Sequence, residues 1–241
     1  AFTAMMALLP IFGSENVPIQ LKAALSIIFS ILVMPFVAVD IQAIPTTLMG
    51  YAVLLIKELL VGILIGFAAS FLFVAVQFAG RLVDTQMGFA FVQTVDPFTN
   101  NRTTTLGQLK VLVFTMLFLL INGHYFMLLA IDKSFELIPL LGVKMPGGHF
   151  AFHLTAMSAR VFVSAIKLAA PVFVTLVLTS LSLGVVARTV PQMNVFFVGL
   201  PLKIGIGFGT TVLVLPLLAD LFRRMVHVLM TDIWKLLYLM A

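Results

Sequence analysis

The sequence predicts an all-α protein of the membrane type, built from helical hairpins whose helices are kinked or broken. Composition is the first reason: 62% of the 241 residues are hydrophobic, 10% are charged, and the mean hydropathy is +1.20. A soluble domain has about 25% charged residues, so this chain cannot cover itself with a water-compatible surface. The second reason is a series of apolar blocks close to the length of about 20 residues that crosses a bilayer. The third is the set of prolines inside those blocks, because proline removes a backbone donor.

The apolar blocks follow one another along the whole chain. They cover residues 1–12, 21–38, 48–80, 108–131, 155–187 and 202–222, and an amphipathic tail runs to residue 241. The block 48–80 is too long for one simple span. We expect helices to kink or end at the prolines inside or beside these blocks, which are Pro10, Pro35, Pro45, Pro171 and Pro216.

Two glycine pairs at i, i+4 spacing predict close packing between helices. Gly62 and Gly66, with Ser70, form one small-residue face, and Gly205 and Gly209 form another. We expect packing within the chain at both faces, and an interface with another subunit is the alternative.

Four charged side chains are expected to be buried, namely Lys57, Glu58, Arg81 and Asp84. A charge that faces lipid is costly, so Lys57 and Glu58 should face protein or a water-filled lumen. Adjacent residues point in different directions on a helix, so these two should have different partners. Arg81 and Asp84 have the i, i+3 spacing of a helical ion pair.

Charge and cysteine content exclude few classes of protein. The net charge of +5 comes from 14 basic residues that are scattered, which is weak evidence for nucleic-acid binding. No cysteine is present, so disulfide and thiol chemistry are excluded. No Lys or Arg precedes Lys22, so the beginning lacks the basic region of a signal peptide. Basic residues divide evenly between alternate loops, and the positive-inside rule therefore gives no orientation.

The sequence offers little for catalysis, metal binding or a cofactor. His149 and His153 have the spacing of two zinc ligands on one helical face. Phe150 stands where a zinc protease needs its glutamate base, so we do not expect a metal site there. His124 follows Asn122-Gly123 and is expected to be a hydrogen-bonded histidine at a helix end. We find no nucleophile elbow, paired catalytic acids or phosphate loop, and we predict neither an enzyme nor a bound cofactor.

The segment from Arg81 to Thr105 is one of two candidate functional loops. Met87, Gly88, Phe89 and Phe91 form a flexible apolar run. A turn at Asp96 and Pro97 and a Thr/Asn-rich stretch follow it. An ordinary solvated loop would have no reason to expose such large apolar side chains. The alternative to a solvated loop is a segment that seals a gap, because a methionine can fill an irregular gap and refill it after displacement.

The second candidate is the segment Arg188–Lys203, which separates two long apolar blocks. Its polar and proline residues exceed what a chain reversal needs, and they are Arg188, Pro191, Gln192, Asn194, Pro201 and Lys203. Gln192 and Asn194 can satisfy backbone groups at helix ends, and Pro201 suits the first turn of the following helix. Lys203 is either a lysine that extends to the membrane interface or a contact to an acidic group of another subunit.

Three stretches of the chain resemble the FliR/SctT family, integral components of the bacterial type III protein export gate. They are residues 191–203, residues 80–97 and residues 117–139, in the order and spacing of that family. Only about the last third of the family's first helix precedes Gly13, so we expect the N-terminus to be missing or processed.

The resemblance implies a division into two parts. Residues 1–159 would form a FliP-like helical part whose central loop, about residues 81–105, enters the export channel as a plug. Residues 160–241 would form a FliQ-like helical hairpin, whose loop would contact another subunit near the cytoplasmic entrance. Met193 to Phe196 is more similar to flagellar than to injectisome members.

Partners and location also follow from the resemblance. It implies a hetero-oligomer with FliP-like and FliQ-like subunits, contact with a FlhB-like switch protein, and passage of unfolded protein substrates. The location would be the bacterial inner membrane, within the flagellar basal body. No cofactor is implied.

Two other functions were weighed. A secondary transporter would use broken helices and the Lys57–Glu58 pair as a midplane site for a small solute, but it predicts an inverted repeat that the sequence lacks. An intramembrane enzyme would need a set of catalytic residues that we do not find.

Overall fold

A computed structural model describes residues 1–9, 13, 17–36, 47–89, 105–138, 147–190, 192 and 194–240. These residues are 93% helical and contain no strand, so the predicted all-α class is confirmed. The described residues form seven α-helices, which are, in chain order, α1 (Phe2–Leu8), α2 (Ile19–Val33), α3 (Leu48–Met87), α4 (Thr105–Leu120), α5 (Gly123–Leu137), α6 (Gly148–Thr189) and α7 (Val195–Met240). A short 3-10 helix, Met34–Phe36, follows α2.

Among the described residues, three helices are long and apolar enough to cross a membrane: α3, α6 and the part of α7 from Phe197 onward. The α4 and α5 helices, bent by 63° at the break between them, add a fourth candidate span. The α3 helix has 40 residues. At 1.5 Å per residue it is about 60 Å long, twice the hydrocarbon thickness of a bilayer. The prediction that block 48–80 exceeds a simple span is therefore confirmed.

The break in the α4–α5 pair lies at Asn122, not at a proline. Asn122 has a φ of 57° and ψ of 30°, the left-handed conformation that asparagine tolerates better than most residues. Pro171 and Pro216 lie inside continuous helices, so the helices do not end at these prolines, and a kink at either one stays a prediction. The long apolar sequences on both sides of each proline stabilise the helix more than one lost hydrogen bond weakens it. Pro10 and Pro45 lie outside the described residues.

Contacts divide the chain into two compact units, and α3, α4, α6 and α7 contribute residues to both. Unit 1 contains residues 1–73, 118–159 and 225–241. In its core the rings of Phe73 and Phe118 meet edge to face, with centroids 5.5 Å apart. The α1 helix packs on the Gly62 and Gly66 face of α3: a Cβ on Gly66 would lie 2.9 Å from the Leu8 Cβ. The predicted packing within the chain is thus confirmed for this glycine pair.

The amphipathic tail belongs to unit 1 and is the C-terminal part of α7. Its buried side chains recur every three or four residues, at Val226, Leu229, Ile233, Leu237 and Met240. This is the period of a helix with one apolar face against a core. The tail therefore packs on its own chain, whereas the sequence left open whether it lies on a membrane or on a partner.

Unit 2 contains residues 74–117 and 160–224. Its core includes an edge-to-face pair between Phe114 of α4 and Phe222 of α7, with ring centroids 4.8 Å apart. A second pair joins Phe78 of α3 and Phe162 of α6 at 5.6 Å. The four helices of this unit bring together the described ends of both candidate functional loops. The predicted boundary between residues 159 and 160 rests on family resemblance, and it stays a prediction.

Candidate functional site

The first candidate loop begins at Gly88, later than predicted. Residues 81–87 are the last two turns of α3, since no helix breaker occurs before Gly88. Gly88 has a φ of +94°, a conformation that glycine adopts without steric cost, and its N–H donates to the Thr85 carbonyl at 3.2 Å. A Cβ at this position would lie 3.0 Å from Leu200 Cδ1 of α7. Glycine therefore both ends the helix and permits the close approach to α7.

Met87 anchors the end of α3 against α7. Its side chain is 0% exposed, and a Cβ on Gly207 would collide with the Met87 Cε atom and lie 3.0 Å from its Sδ and Cγ. Gly207 thus leaves the space that the Met87 side chain fills. The prediction grouped Met87 with the sealing side chains, whereas in this structure Met87 is buried at the base of the loop. Phe89 is half-buried, and Phe91, Asp96 and Pro97 lie outside the described residues.

A buried carboxylate of α3 contacts the backbone of α4, the helix that follows the loop. A Cβ on Gly80 would lie 2.9 Å from the Gly107 Cα, so the two backbones touch. At this contact Asp84, which is 1% exposed, accepts a hydrogen bond from the Gly107 N–H, with 3.1 Å between Oδ2 and N. The first N–H groups of a helix have no partner within it, and Asp84 satisfies one of those of α4 from another helix.

Lys110 is the functional candidate that the sequence analysis missed. It is 4% exposed, and the Asp84 carboxylate is the charge that acts on its ammonium. Its side chain lines a narrow apolar crevice with Ala79 of α3, Leu168 of α6 and Leu218 of α7. The signal was present in the sequence, because Lys110 lies inside the apolar block 108–131. The argument applied to Lys57 would have selected it.

The other predicted buried charges have different environments. Lys57 and Glu58 are both half-buried in the single chain. Arg81 is exposed, so its predicted burial is not found in the single chain. The two positions differ by about 60° around the helix, and Asp84 is buried toward α4 whereas Arg81 lies at the exposed edge of this face.

The second candidate loop is shorter than predicted. The α6 helix continues through Arg188 to Thr189, and α7 begins at Val195. The carbonyl of Asn194 accepts hydrogen bonds from the N–H groups of Phe197 and Val198, at 3.1 and 3.4 Å. This carbonyl starts α7, so the polar residues of the loop do mark a helix end. Arg188, Gln192 and Asn194 are exposed, and Pro191 lies outside the described residues.

Pro201 and Lys203 lie within α7 and not in the loop. Pro201 was expected in the first turn of the helix, but α7 begins six residues earlier, so that prediction is wrong. Pro201 is exposed and Lys203 is half-buried. Nearby, a Cβ on Gly199 would lie 3.1 Å from Leu183 Cδ1, which shows close contact between α6 and α7. Gly88, at the end of α3, thus lies beside Leu200 in the first turns of α7.

The second glycine pair does not pack against the part of the chain that the structure describes. Among those residues, a Cβ on Gly205 or Gly209 would meet nothing within 4 Å, and the same holds for Gly184 of α6. The predicted packing within the chain is not found there for this pair, because Gly207 is the glycine that turns toward the core.

The histidines do not form a metal centre in the part of the chain that the structure describes. No group of three or more potential ligands occurs there. His149 is exposed, whereas His153 lies beside buried Asp232, with 3.7 Å between Nε2 and Oδ1. His124 lies in the first turn of α5 as predicted, but its Nδ1 has no hydrogen-bond partner among the described residues.

Comparison with known proteins identifies the family. The model of the family "Bacterial export proteins, family 1" matches residues 2–229. Flagellar biosynthetic protein FliR of Bacillus subtilis (strain 168) is 36% identical over 208 residues, covering 86% of this chain and 80% of that protein. FliR of Aquifex aeolicus (strain VF5) is 30% identical over 217 residues, with 87% and 80% covered. FliR of Escherichia coli (strain K12) is 27% identical over 234 residues, with 97% and 87% covered.

These matches confirm the resemblance drawn from the three sequence stretches, and they favour protein export over the transporter alternative. The chain belongs to the bacterial export proteins, family 1.

Proposed function

We propose that this chain is a non-enzymatic pore subunit of the bacterial flagellar protein export gate. Its relatives are flagellar biosynthetic proteins, and its long apolar helices make it a membrane protein. The observation that carries the proposal is the fixed base of the first loop. Gly88 faces Leu200 and Met87 fills the space beside Gly207, so the loop leaves α3 directly beside the α6–α7 hairpin. A segment that starts from so rigid a base can return reproducibly to one closed position.

In this proposal the loop between α3 and α4 is the plug that closes the channel. Met87 anchors its base, and Phe89 and Phe91 are the sealing side chains. The two-part organisation stays part of the proposal: a FliP-like part over residues 1–159 and a FliQ-like hairpin over residues 160–241. No residue is assigned a catalytic role, and no cofactor is assigned.

Open faces of α6 and α7 support assembly with other subunits. Gly205 and Gly209 leave room on α7, and the neighbouring Leu213 is 80% exposed. On α6, Leu181 is 63% exposed beside Gly184. Small residues between large apolar ones allow another helix to approach closely within a membrane. We assign these faces to FliP-like and FliQ-like subunits and place the complex in the bacterial inner membrane. The Arg188–Lys203 segment would contact another subunit near the cytoplasmic entrance, and a FlhB-like switch protein would contact the complex.

The plug assignment can be tested by electrical recording. Residues 90–104 are replaced by a Gly/Ser segment of equal length, which keeps Met87 and Gly88. The gate complex, purified after co-expression with its partners, is placed in a planar lipid bilayer. We expect the replacement to assemble and to conduct ions continuously, whereas the parent complex stays closed.

A matched control replaces residues 140–146 with Gly/Ser at constant length, and it should stay closed like the parent. If the loop replacement assembles and conducts no more than this control, the plug assignment is wrong.

A further inference from the structure

The α6 helix carries one charged side chain on an exposed face that is otherwise largely apolar. Lys167 is exposed, and no acidic side chain among the described residues pairs with it. It lies 19 residues after Gly148 and 22 residues before Thr189, where the helix begins and ends. At 1.5 Å per residue these separations are about 29 and 33 Å. The ammonium of Lys167 therefore cannot reach past either end of the helix.

The exposed face of α6 is apolar on both sides of Lys167. Its large exposed apolar side chains begin at Phe152 and end at Val186, and Lys167 is the only charged side chain in this described stretch that is exposed. Those nearest to Lys167 are Phe162, Val163, Ile166, Val174, Leu178 and Leu181. A lysine at a membrane–water boundary has apolar residues on one side and polar residues on the other. Lys167 therefore does not mark such a boundary.

This face is longer than a bilayer is thick. Phe152 and Val186 are 34 residues apart, which is about 51 Å of helix, against a hydrocarbon thickness of about 30 Å. Even at a tilt of about 40° the face would extend about 39 Å along the bilayer normal. Lipid cannot cover all of it, and exposing the remainder to water is unfavourable, so another protein must cover part of it. Because a charge that faces lipid is costly, the lipid must stop short of Lys167, which therefore lies beside or beneath the covering protein.

A second polar group lies at the same level of α6. Pro171 has no N–H, so the Lys167 carbonyl lacks its usual hydrogen-bond donor four residues later. In a membrane, a helix with such a break is tolerated where protein or water satisfies the backbone group. The backbone and the side chain of Lys167 thus both favour a polar protein surface over lipid at this level.

The charge of Lys167 defines the chemistry of that surface. Charged side chains inside apolar helices pair with one another or with backbone carbonyls of neighbouring helices. A carboxylate offsets the whole charge of the ammonium, whereas a carbonyl dipole offsets part of it. A lipid phosphate is the other available anion, but headgroups lie at the edge of the hydrocarbon, where one side of Lys167 would be polar.

We propose that Lys167 forms an intersubunit ion pair with an Asp or Glu on an apolar helix of a partner subunit, which packs along the exposed face of α6. This inference rests on the proposed function, because it requires assembly with other subunits of the gate. The pair fixes the register of the two helices. A slide by one turn would separate two charges that both need compensation.

The first test measures recovery of partner subunits with this chain after co-expression and purification in mild detergent. Lys167→Met leaves the carboxylate of the partner uncompensated, and Lys167→Glu adds repulsion. We expect both to reduce recovery by about tenfold or more, as for loss of a hydrogen bond to a charged group. Lys167→Arg keeps the charge and should recover partners nearly as well as the parent. Parent-like recovery with Lys167→Glu would overturn the inference.

Lys235 provides the matched control, because it is an exposed lysine of α7 whose exposed neighbour one turn earlier is the polar Thr231. Lys235→Met and Lys235→Glu make the same changes in charge and should leave recovery unchanged. An equal loss in these controls would show a general effect of net charge and would overturn the inference.

Thermal unfolding of the isolated chain in mild detergent separates assembly from folding. Lys167 is exposed, so Lys167→Met should change the Tm of the isolated chain by no more than about 2 °C. A larger fall in Tm together with the loss of recovery would make Lys167 a residue needed for folding, and the intersubunit pair would be rejected.

Photocrosslinking identifies the partner residue directly. Benzoylphenylalanine is placed at position 167, the purified complex is irradiated, and the crosslinked peptide is identified by mass spectrometry. We expect a peptide of a partner subunit with an Asp or Glu within one helical turn of the crosslinked residue. Changing that acid to Lys should restore recovery in Lys167→Glu. Crosslinks to lipid alone, to this chain alone, or to a partner peptide without an acidic residue would overturn the inference.

The outcomes separate this inference from the proposed function. If the parent chain purifies with partner subunits and the Lys167 variants do so equally well, the ion pair is rejected and the gate assignment stands. If the parent chain purifies without any partner subunit, the gate assignment itself fails. If the Gly/Ser replacement of residues 90–104 does not conduct, the plug assignment alone fails.

Discussion

Replacement of Gly207 by valine tests the anchoring of the loop base most sharply. A Cβ at this position would collide with the Met87 Cε and lie 3.0 Å from the Met87 Sδ and Cγ, and valine adds two further methyl groups. Overpacking of a core costs about 1–3 kcal/mol. A glycine-to-valine change gains a few tenths of a kcal/mol in helix propensity, so the net loss is about 1–3 kcal/mol.

Gly205→Val and Gly209→Val are the matched controls, because nothing lies within 4 Å of a Cβ on either residue. For a chain of this size, 1 kcal/mol corresponds to about 2–4 °C in Tm. Thermal unfolding of the isolated chain in mild detergent, followed by far-ultraviolet circular dichroism, should therefore show Gly207→Val melting about 2–12 °C below the two controls.

The double variant Gly207→Val/Met87→Ala should recover part of the lost stability, because alanine vacates the space that valine needs. Equal Tm values for the three valine variants would refute the reasoning. A double variant that is less stable than the sum of its single changes would refute it as well.

Three further predictions follow from the same structure. His153→Ala should lower the Tm of the isolated chain by about 2–10 °C, because it removes a largely buried side chain that lies 3.7 Å from the Asp232 carboxylate. Exposed His149→Ala should not change the Tm, and equal melting of the two variants would contradict this prediction. Lys203→Ala should reduce flagellar export more than Lys144→Ala, measured as secreted flagellar protein in culture medium. Equal, negligible effects would show that Lys203 only extends to the membrane interface. Gly205→Leu should leave the Tm of the isolated chain unchanged but reduce co-purification of partner subunits about tenfold or more, by filling an open face; unchanged co-purification would show that the face meets lipid.

The sequence was a reliable guide to which segments are helical and a poorer guide to where helices end. Composition and block length were sufficient to predict α3, because the long apolar block 48–80 leaves few alternatives. Its true end depends on Gly88, whose positive φ can be seen only in three dimensions. At the start of α7, Pro201 predicted the first turn of the helix, whereas the Asn194 carbonyl accepts the first hydrogen bonds of the helix. The apolar context of Pro171 and Pro216 overrode their tendency to end helices.

The candidate site was predictable in part. Asp84 was selected as half of an ionisable pair with Arg81 at i, i+3 spacing. Its hydrogen bond with Gly107 depends on the pairing of α3 with α4 across 23 residues, which local patterns do not encode. The i, i+4 spacing likewise predicted packing at Gly205 and Gly209, although Gly207 is the glycine that faces the core. Which glycine faces the core depends on the rotation of α7 about its axis relative to the neighbouring helices, and tertiary packing sets that rotation.

Native mass spectrometry of the chain, purified in mild detergent after co-expression with its genomic neighbours, shows directly whether this chain is a subunit of a larger complex. We expect one heteromeric complex that contains this chain and several copies of small helical membrane proteins. A monomer or a homodimer as the only species would contradict the proposal that this chain is a subunit of a protein export gate.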